Sequence, residues 1–527
     1  MKHSFAALLL ASSLVVTPVI AADVAAPAKG KAEHVLVVVW DGMRRDFITP
    51  EYTPTLYELA RQGVFFKRHH PVYISSTEVN GTAIATGAYP MKSGIMANTD
   101  YRPLIGWLGP NATEGLENIR RGDVASEGHY ILVATVPEIL HQAGFRTVVA
   151  GSKPVAILQD RANKRPSPAA VDSPVLYKGS TIPRSLAESL VKVNDDKAFP
   201  ATTSYPNTAI DNWTTKALVD GLWKKGVPKY TVLWLSEPDA SQHETGVGSE
   251  TALAGIASSD KKLKEVLDSL EKKKLRDKTD VFVVSDHGFS TISRGPDVVE
   301  ILKRAGFHAT KKFEDPERGD VLVVGLGGSI SLYVFENHEP TIRKLVQFLQ
   351  GTDFAGVIFS QLPLEGTFPF EQVRIGSTNG APDVLVSLRW SMDKNENGAP
   401  GLIVADGGKK VKGTHASLCP TDMGNTLVAA GPDLRQGMID DLPSGNADLA
   451  PTVLHILGVP PPEQSKMDGR VLVEALVDGV RSSVQPVTRT VEAKRDIGLF
   501  EWRQYLKLTE YEGRVYFDAG NGEPVPK

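Results

Sequence analysis

The sequence has 527 residues, a formal net charge of −4 and a single cysteine, Cys419. The absence of a basic surplus argues against a general binder of nucleic acid or of anionic membranes. One cysteine excludes an intrachain disulfide, so stability has to come from a buried core and from any bound metal. The length is ample for a large core. The composition therefore predicts a soluble globular protein without specifying its chemistry.

The first 22 residues have the pattern of a secretory signal peptide. A basic start, Met1-Lys2-His3, precedes an apolar run from about Phe5 to Ile20, and small residues follow it. A membrane anchor is the alternative, but the run is short for a bilayer span and no second apolar run of that length follows. We therefore expect an exported, periplasmic or secreted protein without a stable membrane anchor.

The elements that follow alternate between apolar strands and amphipathic helices. The run Val35–Trp40 is typical of a strand buried on both faces. A helix is predicted over Pro54–Gly63, with proline in its first turn and glycine at its end. Further strands are predicted over 146–150, 230–235 and 281–284, and further helices over 135–142 and 249–274. This order predicts an α/β fold with a central, mostly parallel sheet covered by helices on both faces.

The pattern suggests one large domain over residues 33–475. Two insertions are expected within it, over about 155–205 and 305–375, and the second has the mixed strands and helix of a small α+β cap. A core helix is predicted over 447–458. The C-terminal extension, residues 476–527, shows aromatic alternation that fits a β-hairpin turning at Glu512-Gly513.

Carboxylates and imidazoles follow three of the predicted buried strands, at the edge where open α/β sheets form their ligand sites. A further histidine lies in a polar, glycine-containing segment. The set comprises Asp41, Asp239, His243, Asp286, His287 and His415. Any one of these residues alone is more often a helix cap or a structural histidine, but their joint placement favours a metal centre. Six ligands exceed one tetrahedral zinc and suit two metals about 4 Å apart.

A hydroxyl group is predicted close to this centre, in the segment "YISSTEVNG". Thr77 opens a predicted helix, where the backbone N–H groups and the helix dipole favour negative charge. Thr77 is therefore a candidate nucleophile, although a plain helix cap is also compatible. Asn80, one turn later, is a candidate donor to a phosphoryl oxygen.

Together these residues resemble the alkaline phosphatase superfamily, and most closely its nucleotide pyrophosphatase/phosphodiesterase branch. The resemblance extends over most of residues 33–475. The motifs that carry it are Asp41-Gly42, the segment from Thr77 and Asn80 to Thr86-Gly87, Tyr89-Pro90, Ser93-Gly94, Glu237-Pro238-Asp239 with His243, Asp286-His287-Gly288, Gly413-Thr414-His415, Asp448-Leu-Ala-Pro-Thr452 and Asp468-Gly469-Arg470.

The resemblance implies a ligand set and a mechanism. One zinc would be held by Asp239, His243 and His415, and the other by Asp41, Asp286, His287 and the Thr77 oxygen. Thr77 would form a phospho-threonine intermediate, which water activated by the two metals would hydrolyse. Asn80 and the Thr77 N–H would stabilise the non-bridging oxygens, with Ser75 and Ser76 as bystanders. Manganese or iron could replace zinc in such Asp/His sites.

Two positions depart from the pattern of this branch. Glu78 stands directly after Thr77, where an aromatic residue usually stacks on a nucleotide base. Lys153 resembles a phosphate-contacting lysine of some threonine-dependent monoesterases, but Val155 replaces the arginine that accompanies it there. Lys153 is therefore a candidate substrate contact, with a surface lysine as the alternative.

The sequence thus predicts an exported two-metal hydrolase of phosphodiester or pyrophosphate bonds in a small phosphorylated substrate. A phosphate monoesterase is the runner-up, since only Lys153 is a candidate for the added cationic contacts that a monoester needs. A phosphonate hydrolase on the same scaffold stays open. A non-catalytic metal- or phosphate-binding protein is a more distant alternative.

Overall fold

The structure is a computed structural model that describes residues 30–161, 168–376, 380–462, 465 and 467–527. The predicted signal peptide, residues 1–22, lies outside the described residues.

Strands are numbered in chain order along the described part of the chain. They are β1 His34–Trp40, β2 Val64–His70, β3 Thr99–Asp100, β4 Asn111–Ala112, β5 Thr147–Gly151, β6 Val175–Tyr177, β7 Ser180–Ile182, β8 Tyr230–Leu235, β9 Thr279–Val284, β10 Ser290–Arg294, β11 Ala309–Thr310, β12 Val321–Gly325, β13 Ser329–Val334, β14 Ala355–Ser360, β15 Val384–Leu388, β16 Trp390–Lys394, β17 Pro400–Val404, β18 Gly413–Thr414, β19 Leu427–Ala430, β20 Met438–Gly445, β21 Val487–Asp496, β22 Phe500–Tyr511 and β23 Arg514–Pro526.

The α-helices are numbered in the same way. They are α1 Pro54–Gln62, α2 Thr77–Thr86, α3 Pro90–Ser93, α4 Leu116–Ala125, α5 Val136–Gln142, α6 Pro168–Val171, α7 Ala187–Val193, α8 Thr208–Lys216, α9 Asp239–Thr245, α10 Glu250–Lys272, α11 Val298–Arg304, α12 Glu339–Gln350 and α13 Leu449–Leu457.

A nine-stranded sheet forms the centre of the fold, with the order β20-β2-β19-β9-β1-β8-β5-β6-β7. Strands β9, β1, β8, β5 and β6 pair in parallel, as do β2 and β20. Strand β19 runs antiparallel to β9 and β2, and β7 runs antiparallel to β6. The sheet is therefore mostly parallel, as predicted.

Strand β1 shows why the sheet lies inside the protein. Its alternate residues point to opposite faces, as strand geometry requires. Val35, Val37 and Val39 pack into one hydrophobic cluster, whereas Leu36 and Val38 pack into a second cluster on the other face. Helices cover both clusters, so the run of apolar residues reflects burial from two sides.

Residues of both predicted insertions form strands. From the first segment, β6 and β7 extend the edge of the central sheet. The second contributes most of a separate five-stranded sheet, ordered β11-β12-β13-β15-β14, which continues to Leu388 and packs against α12. Its apolar face forms a cluster of its own.

The C-terminal segment forms a three-stranded antiparallel sheet, in the order β21-β22-β23. Strands β22 and β23 form a hairpin, and β21 adds a long outer strand. Tyr516 in β23 donates its hydroxyl to the Asp448 carboxylate, which ties this sheet to the start of α13. Among the described helices, none combines the length and the apolar character needed to cross a bilayer.

Candidate metal centre and active site

The central sheet brings the predicted ligands together. Strands β9, β1 and β8 are adjacent and parallel, so their carboxyl ends share one edge. Asp41 follows β1, Asp286 and His287 follow β9, and Asp239 opens α9 after β8. His243 lies one turn after Asp239 in α9, and His415 directly follows the short strand β18.

The first ligand group consists of Asp239, His243 and His415, whose candidate ligand atoms all lie within 4.8 Å of one another. The His243 Nε2 atom lies 3.2 Å from Asp239 Oδ1, and the His415 Nε2 atom lies 3.8 Å from the same oxygen. Asp239 and His415 are buried, whereas the His243 side chain is 41% exposed. Three donors thus converge on one point that solvent can reach.

The second group consists of Asp41, Asp286 and His287, with ligand atoms within the same 4.8 Å limit. The His287 Nε2 atom lies 3.3 Å from Asp286 Oδ2 and 3.7 Å from Asp41 Oδ1. All three side chains are fully buried. The rings of His287 and His415 stack with centroids 3.7 Å apart, so the two groups are immediate neighbours.

Each histidine is oriented by a main-chain carbonyl. The Nδ1 atoms of His243, His287 and His415 lie 3.0, 2.8 and 2.9 Å from the carbonyl oxygens of Gly413, Gly288 and Ser75. A carbonyl only accepts hydrogen bonds, so each Nδ1 carries the proton and each Nε2 presents a lone pair. This is the arrangement usual for metal-ligating histidines. Burial, with the neighbouring imidazoles, holds the pKa of His415 well below its usual range, which keeps it neutral.

The carboxylates also fit a metal centre. Each uses one oxygen in hydrogen bonds: Asp286 Oδ1 accepts from Gly42 N–H, Asp41 Oδ2 from Trp234 Nε1–H, and Asp239 Oδ2 from Lys153. The other oxygen of each has no hydrogen-bond partner among the described residues. These three oxygens face the histidine Nε2 atoms. Buried oxygens without partners are costly, and a divalent cation would satisfy all of them.

The pKa values of the ligand carboxylates also indicate that the two groups require positive charge. Burial raises the pKa of Asp41 well above its usual range, and the nearby Asp286 raises it further. Burial also acts to raise the pKa of Asp239, but Lys153 and the two imidazoles outweigh it and hold the net value well below the usual range.

Thr77 lies beside the second group. It is the first residue of α2, a helix whose residues are all buried, and Ser76 precedes it in extended conformation. The Thr77 Oγ1 atom lies 3.2 Å from His287 Nε2. Because Nδ1 of this histidine carries the proton, the threonine hydroxyl donates to Nε2. The side chain thus points at the convergence of Asp41, Asp286 and His287.

The structure contradicts the role predicted for Asn80. Its side chain is fully buried, and its amide group donates to the carbonyls of Val72, Ile74 and Ser76. Its Oδ1 accepts from the Val72 N–H and from Asn446. Both N–H donors are therefore occupied by main-chain carbonyls, so Asn80 shapes the segment before α2 and cannot reach a phosphoryl oxygen.

Asn98, which the sequence analysis missed, lies closer to the reacting end of α2. Its Oδ1 accepts a hydrogen bond from the Glu78 N–H at 3.1 Å, which places the carboxamide against the Thr77–Glu78 peptide. Its side chain is partly exposed, and its NH₂ group donates no hydrogen bond within the described part of the chain. A contact across twenty residues depends on tertiary folding, so no local pattern identifies it.

Asn446, also missed, connects the elements that carry the site. Its Nδ2 donates to Asn80 Oδ1 at 3.0 Å and to the Asp286 carbonyl at 2.6 Å. Its Oδ1 accepts from Asn425 and contacts His69 Nε2 at 2.9 Å. One fully buried side chain therefore joins the nucleophile helix to the loop of the second ligand group.

Lys153 lies between the two ligand groups. Its Nζ is 2.9 Å from both Asp41 Oδ2 and Asp239 Oδ2. Burial acts to lower the pKa of Lys153, but these two carboxylates outweigh it and raise the pKa well above its usual range. The ammonium group is thus an internal counter-ion of the ligands, and its side chain is 23% exposed.

The sequence matches the family described as "Type I phosphodiesterase / nucleotide pyrophosphatase" over residues 35–347, more than half of the chain. The chain belongs to this family. All members of the two ligand groups except His415 lie within the matched region.

Similar proteins include the rat ectonucleotide pyrophosphatase/phosphodiesterase family member 7, 24% identical over 311 residues. That match covers 58% of this chain, and the chain spans only 61% of the length of the rat protein. Human ectonucleotide pyrophosphatase/phosphodiesterase 5 has a similar structure, with a TM-score of 0.56, 16% identity, and coverage of 84% of this chain and 100% of that chain.

The mouse counterpart of this last protein is also similar, with a TM-score of 0.54 and 17% identity, covering 81% of this chain and 96% of that chain. It was solved as an inactive threonine-to-alanine variant in complex with AMP. These likenesses confirm the predicted fold class, an alkaline-phosphatase-like α/β sheet with additional small sheets.

Proposed function

We propose that the protein hydrolyses phosphodiester or pyrophosphate bonds of small phosphorylated molecules, with Thr77 as the nucleophile. One observation carries the proposal: Thr77 Oγ1 points into a buried group of carboxylate and imidazole donors, and a second such group lies directly beside it. Family membership supports the same reaction class.

Two metal ions fit the two groups. Asp239, His243 and His415 would hold one, and Asp41, Asp286 and His287 would hold the other, next to Thr77. The Asp/His donor set suits zinc and accepts manganese or iron. When bound, such a pair of ions supplies electrostatic stabilisation of the attacking and leaving oxygens and lowers the pKa of hydroxyl groups and water.

Thr77 would act in two steps. In the first, Oγ1 releases its proton to solvent and bonds to phosphorus, while the bond to the leaving oxygen breaks and that oxygen keeps the electron pair. In the second, a water oxygen bonds to phosphorus, the bond to Oγ1 breaks, and a proton restores the threonine hydroxyl. The inactivity of the threonine-to-alanine mouse protein supports a threonine in this role.

Oxygen stabilisation is assigned to Asn98 in place of Asn80. The Asn98 carboxamide lies against the Thr77–Glu78 peptide, and its NH₂ group has no acceptor within the described residues. A donor held at the first turn of the helix that carries Thr77 can stabilise charge that develops on a non-bridging oxygen of phosphorus.

Lys153 favours a diester or pyrophosphate over a monoester. A monoester carries an extra negative charge and benefits from an additional cationic contact. The ammonium group of Lys153 is already paired with Asp41 and Asp239, so its charge is shared with the ligands. The sequence provides no second cation two residues after Lys153, because Val155 stands where the related monoesterases have an arginine.

The protein would act outside the cytoplasm, as its predicted signal peptide over residues 1–22 indicates. Its partner is then a small phosphorylated substrate in the periplasm or the medium.

A paired assay tests the proposal. We expect the zinc-loaded protein to hydrolyse bis(4-nitrophenyl) phosphate with a higher kcat/KM than 4-nitrophenyl phosphate. Thr77→Ala should lower kcat/KM for the diester by a factor of about 10³ or more, since the reaction loses its nucleophile. Thr86→Ala, at the far end of the same helix, is the matched control and should retain most activity. Preference for the monoester would instead favour a phosphatase, and activity on neither ester would contradict hydrolysis.

A further inference from the structure

Two glutamates form an unusual pair beside the nucleophile. Glu78 directly follows Thr77 and is 5% exposed. Its carboxyl group lies beside that of Glu114, and burial, together with this neighbouring carboxyl group, raises the pKa of Glu78 well above its usual range. The Oε2 atom of each is buried, and neither receives a hydrogen bond from a donor in the described part of the chain. The chain therefore holds two acidic groups together with no cation or N–H donor on their Oε2 atoms among the described residues, and a shared proton is what joins them.

The fold fixes this pair in place. Strands β3 and β4 pair with each other, and Thr113, next to Glu114, donates its hydroxyl to the Ala97 and Asn98 carbonyls. Asn98 in turn accepts the N–H of Glu78. The two glutamates are thus held from both sides by main-chain contacts.

Two groups near the pair, the Lys153 ammonium and the Tyr130 hydroxyl, are engaged elsewhere. Lys153 is close enough to stabilise the charge of Glu78, but its ammonium group contacts Asp41 and Asp239. The charge of Glu78 also contributes to the raised pKa of Tyr130, but the Tyr130 hydroxyl donates to the Thr113 carbonyl at 2.8 Å. Because buried acceptors without donors destabilise a fold, a cation that carries several N–H donors would stabilise this pair.

We propose that Glu78 and Glu114 bind a primary ammonium group of the substrate, carried on the alcohol esterified to the phosphorus. This inference rests on the proposed function, because it places the ammonium group one residue from the attacking oxygen. A primary ammonium has three donors and no acceptor, which matches the unsatisfied carboxyl oxygens. A nucleobase would find no flat face at this position.

The chemistry of the pair favours an organic ammonium over a metal ion. Calcium requires six to eight oxygen ligands, and magnesium requires a nearly ideal octahedron. Two side chains do not supply such a shell, and the histidines of the region belong to the two ligand groups. An ammonium group needs only the acceptors that are present.

Two isosteric diesters test the proposal: 4-nitrophenyl 2-aminoethyl phosphate and 4-nitrophenyl propyl phosphate, which differ only by an ammonium in place of a methyl group. We expect the zinc-loaded protein to favour the aminoethyl ester about tenfold or more in kcat/KM, as a charge-assisted hydrogen bond would give. Glu78→Gln and Glu114→Gln should each reduce this ratio several-fold, and the double variant should bring it close to one. The propyl ester serves as the internal reference, so the ratio of the two esters, and not either rate alone, reports the ammonium contact.

The controls separate this inference from the proposed reaction. Glu117→Gln, an exposed position on α4, should leave the ratio unchanged. Thr77→Ala should abolish hydrolysis of both esters, which tests the reaction without reference to the ammonium group. A wild-type ratio near one, or a ratio that survives both Gln substitutions, overturns the ammonium site. A large fall in melting temperature in the Gln variants, with the ratio unchanged, would show that the pair is structural and would overturn it as well.

Discussion

Lys153 shows how one residue can affect both stability and metal binding. In the protein without metal, its ammonium group is the main positive charge between Asp41 and Asp239. A metal ion brings positive charge to the same carboxylates and thus competes with Lys153. The residue should therefore stabilise the metal-free protein and weaken metal affinity.

Lys153→Met tests this competition. We expect the free energy of unfolding of the metal-free variant to be about 3 kcal/mol lower than that of the wild type, because two buried carboxylates lose their counter-ion. The same variant should bind zinc more tightly than the wild type. Urea unfolding of the chelated protein and zinc titration calorimetry measure the two effects.

The matched control is Lys264→Met, whose ion pair with Asp268 lies on the exposed face of α10. It should change the free energy of unfolding by about 0.5 kcal/mol or less and leave zinc affinity unaltered. Weaker zinc binding in Lys153→Met would contradict the competition and favour a direct role of the lysine in the loaded site.

At the scale of elements, the site depends on how α2 is joined to the loop after β9. Asn446 makes this connection through its contacts with Asn80, the Asp286 carbonyl and His69. Substitution by alanine would leave several buried polar groups without partners, each at a cost of about 1–3 kcal/mol. The ligand group beside Thr77 would also lose part of its support.

We therefore expect Asn446→Ala to lower the free energy of unfolding by about 3 kcal/mol and to weaken zinc binding. Asn446→Asp should behave similarly, since its carboxylate cannot donate to Asn80 Oδ1 or to the Asp286 carbonyl. The exposed Asn397→Ala is the control and should have little effect on zinc affinity. Stability lost without any change in zinc affinity would show that the network supports the fold but not the ligands.

The same network makes stability depend on pH. Burial lowers the pKa of His69 from 6.5 to about 3 in the folded protein. Below pH 6.5 the unfolded chain takes up a proton that the folded protein does not, so acid favours unfolding. The contribution of His69 is fully present above pH 6.5 and falls by about 1.4 kcal/mol per pH unit towards pH 3.

Urea unfolding of the metal-free protein at pH 7.0, 6.0 and 5.0 measures this effect. His69→Gln should be less stable at pH 7.0, because it loses a fitted side chain, but its stability should fall less steeply with acid. The difference in slope should approach about 1.4 kcal/mol per pH unit below pH 6. Equal slopes would contradict a neutral His69 in the folded state.

At the scale of the whole molecule, the sequence predicts well those features that the strands and helices determine. Asp41, Asp239 and Asp286 follow parallel strands whose apolar runs are easily identified, so the shared sheet edge follows from the fold class. Strand β21 carries only a weak signal, because its residues are exposed or half-buried and few of them are apolar. Its pairing with β22 is a local hairpin closed across residues 497–499, with Gly498 at positive φ.

Side-chain partners are the part that the sequence could not predict. Asn80 has the right spacing from Thr77 for a phosphate contact, but the fold surrounds its amide with carbonyls. Asn98 and Asn446 reach the site only because distant segments pack together. Residue type and spacing indicate which groups are available, whereas hydrogen-bond competition decides which of them stay free.

Metal removal tests how far the whole molecule depends on the centre. Without metal, three buried carboxylate oxygens lack partners at the edge of the central sheet. The ligands lie in the segments after β1, β9 and β18 and in α9, so an ion on each group would link separate parts of the fold. Because ions that bind only the folded state stabilise it, chelation should lower the melting temperature of the wild type by several degrees. Re-addition of zinc should restore the melting temperature in proportion to the logarithm of the free zinc concentration.

In His415→Ala, which leaves one ligand group incomplete, the shift in melting temperature should be smaller. An unchanged melting temperature after verified removal would show that the sheet holds the ligands without help from metal.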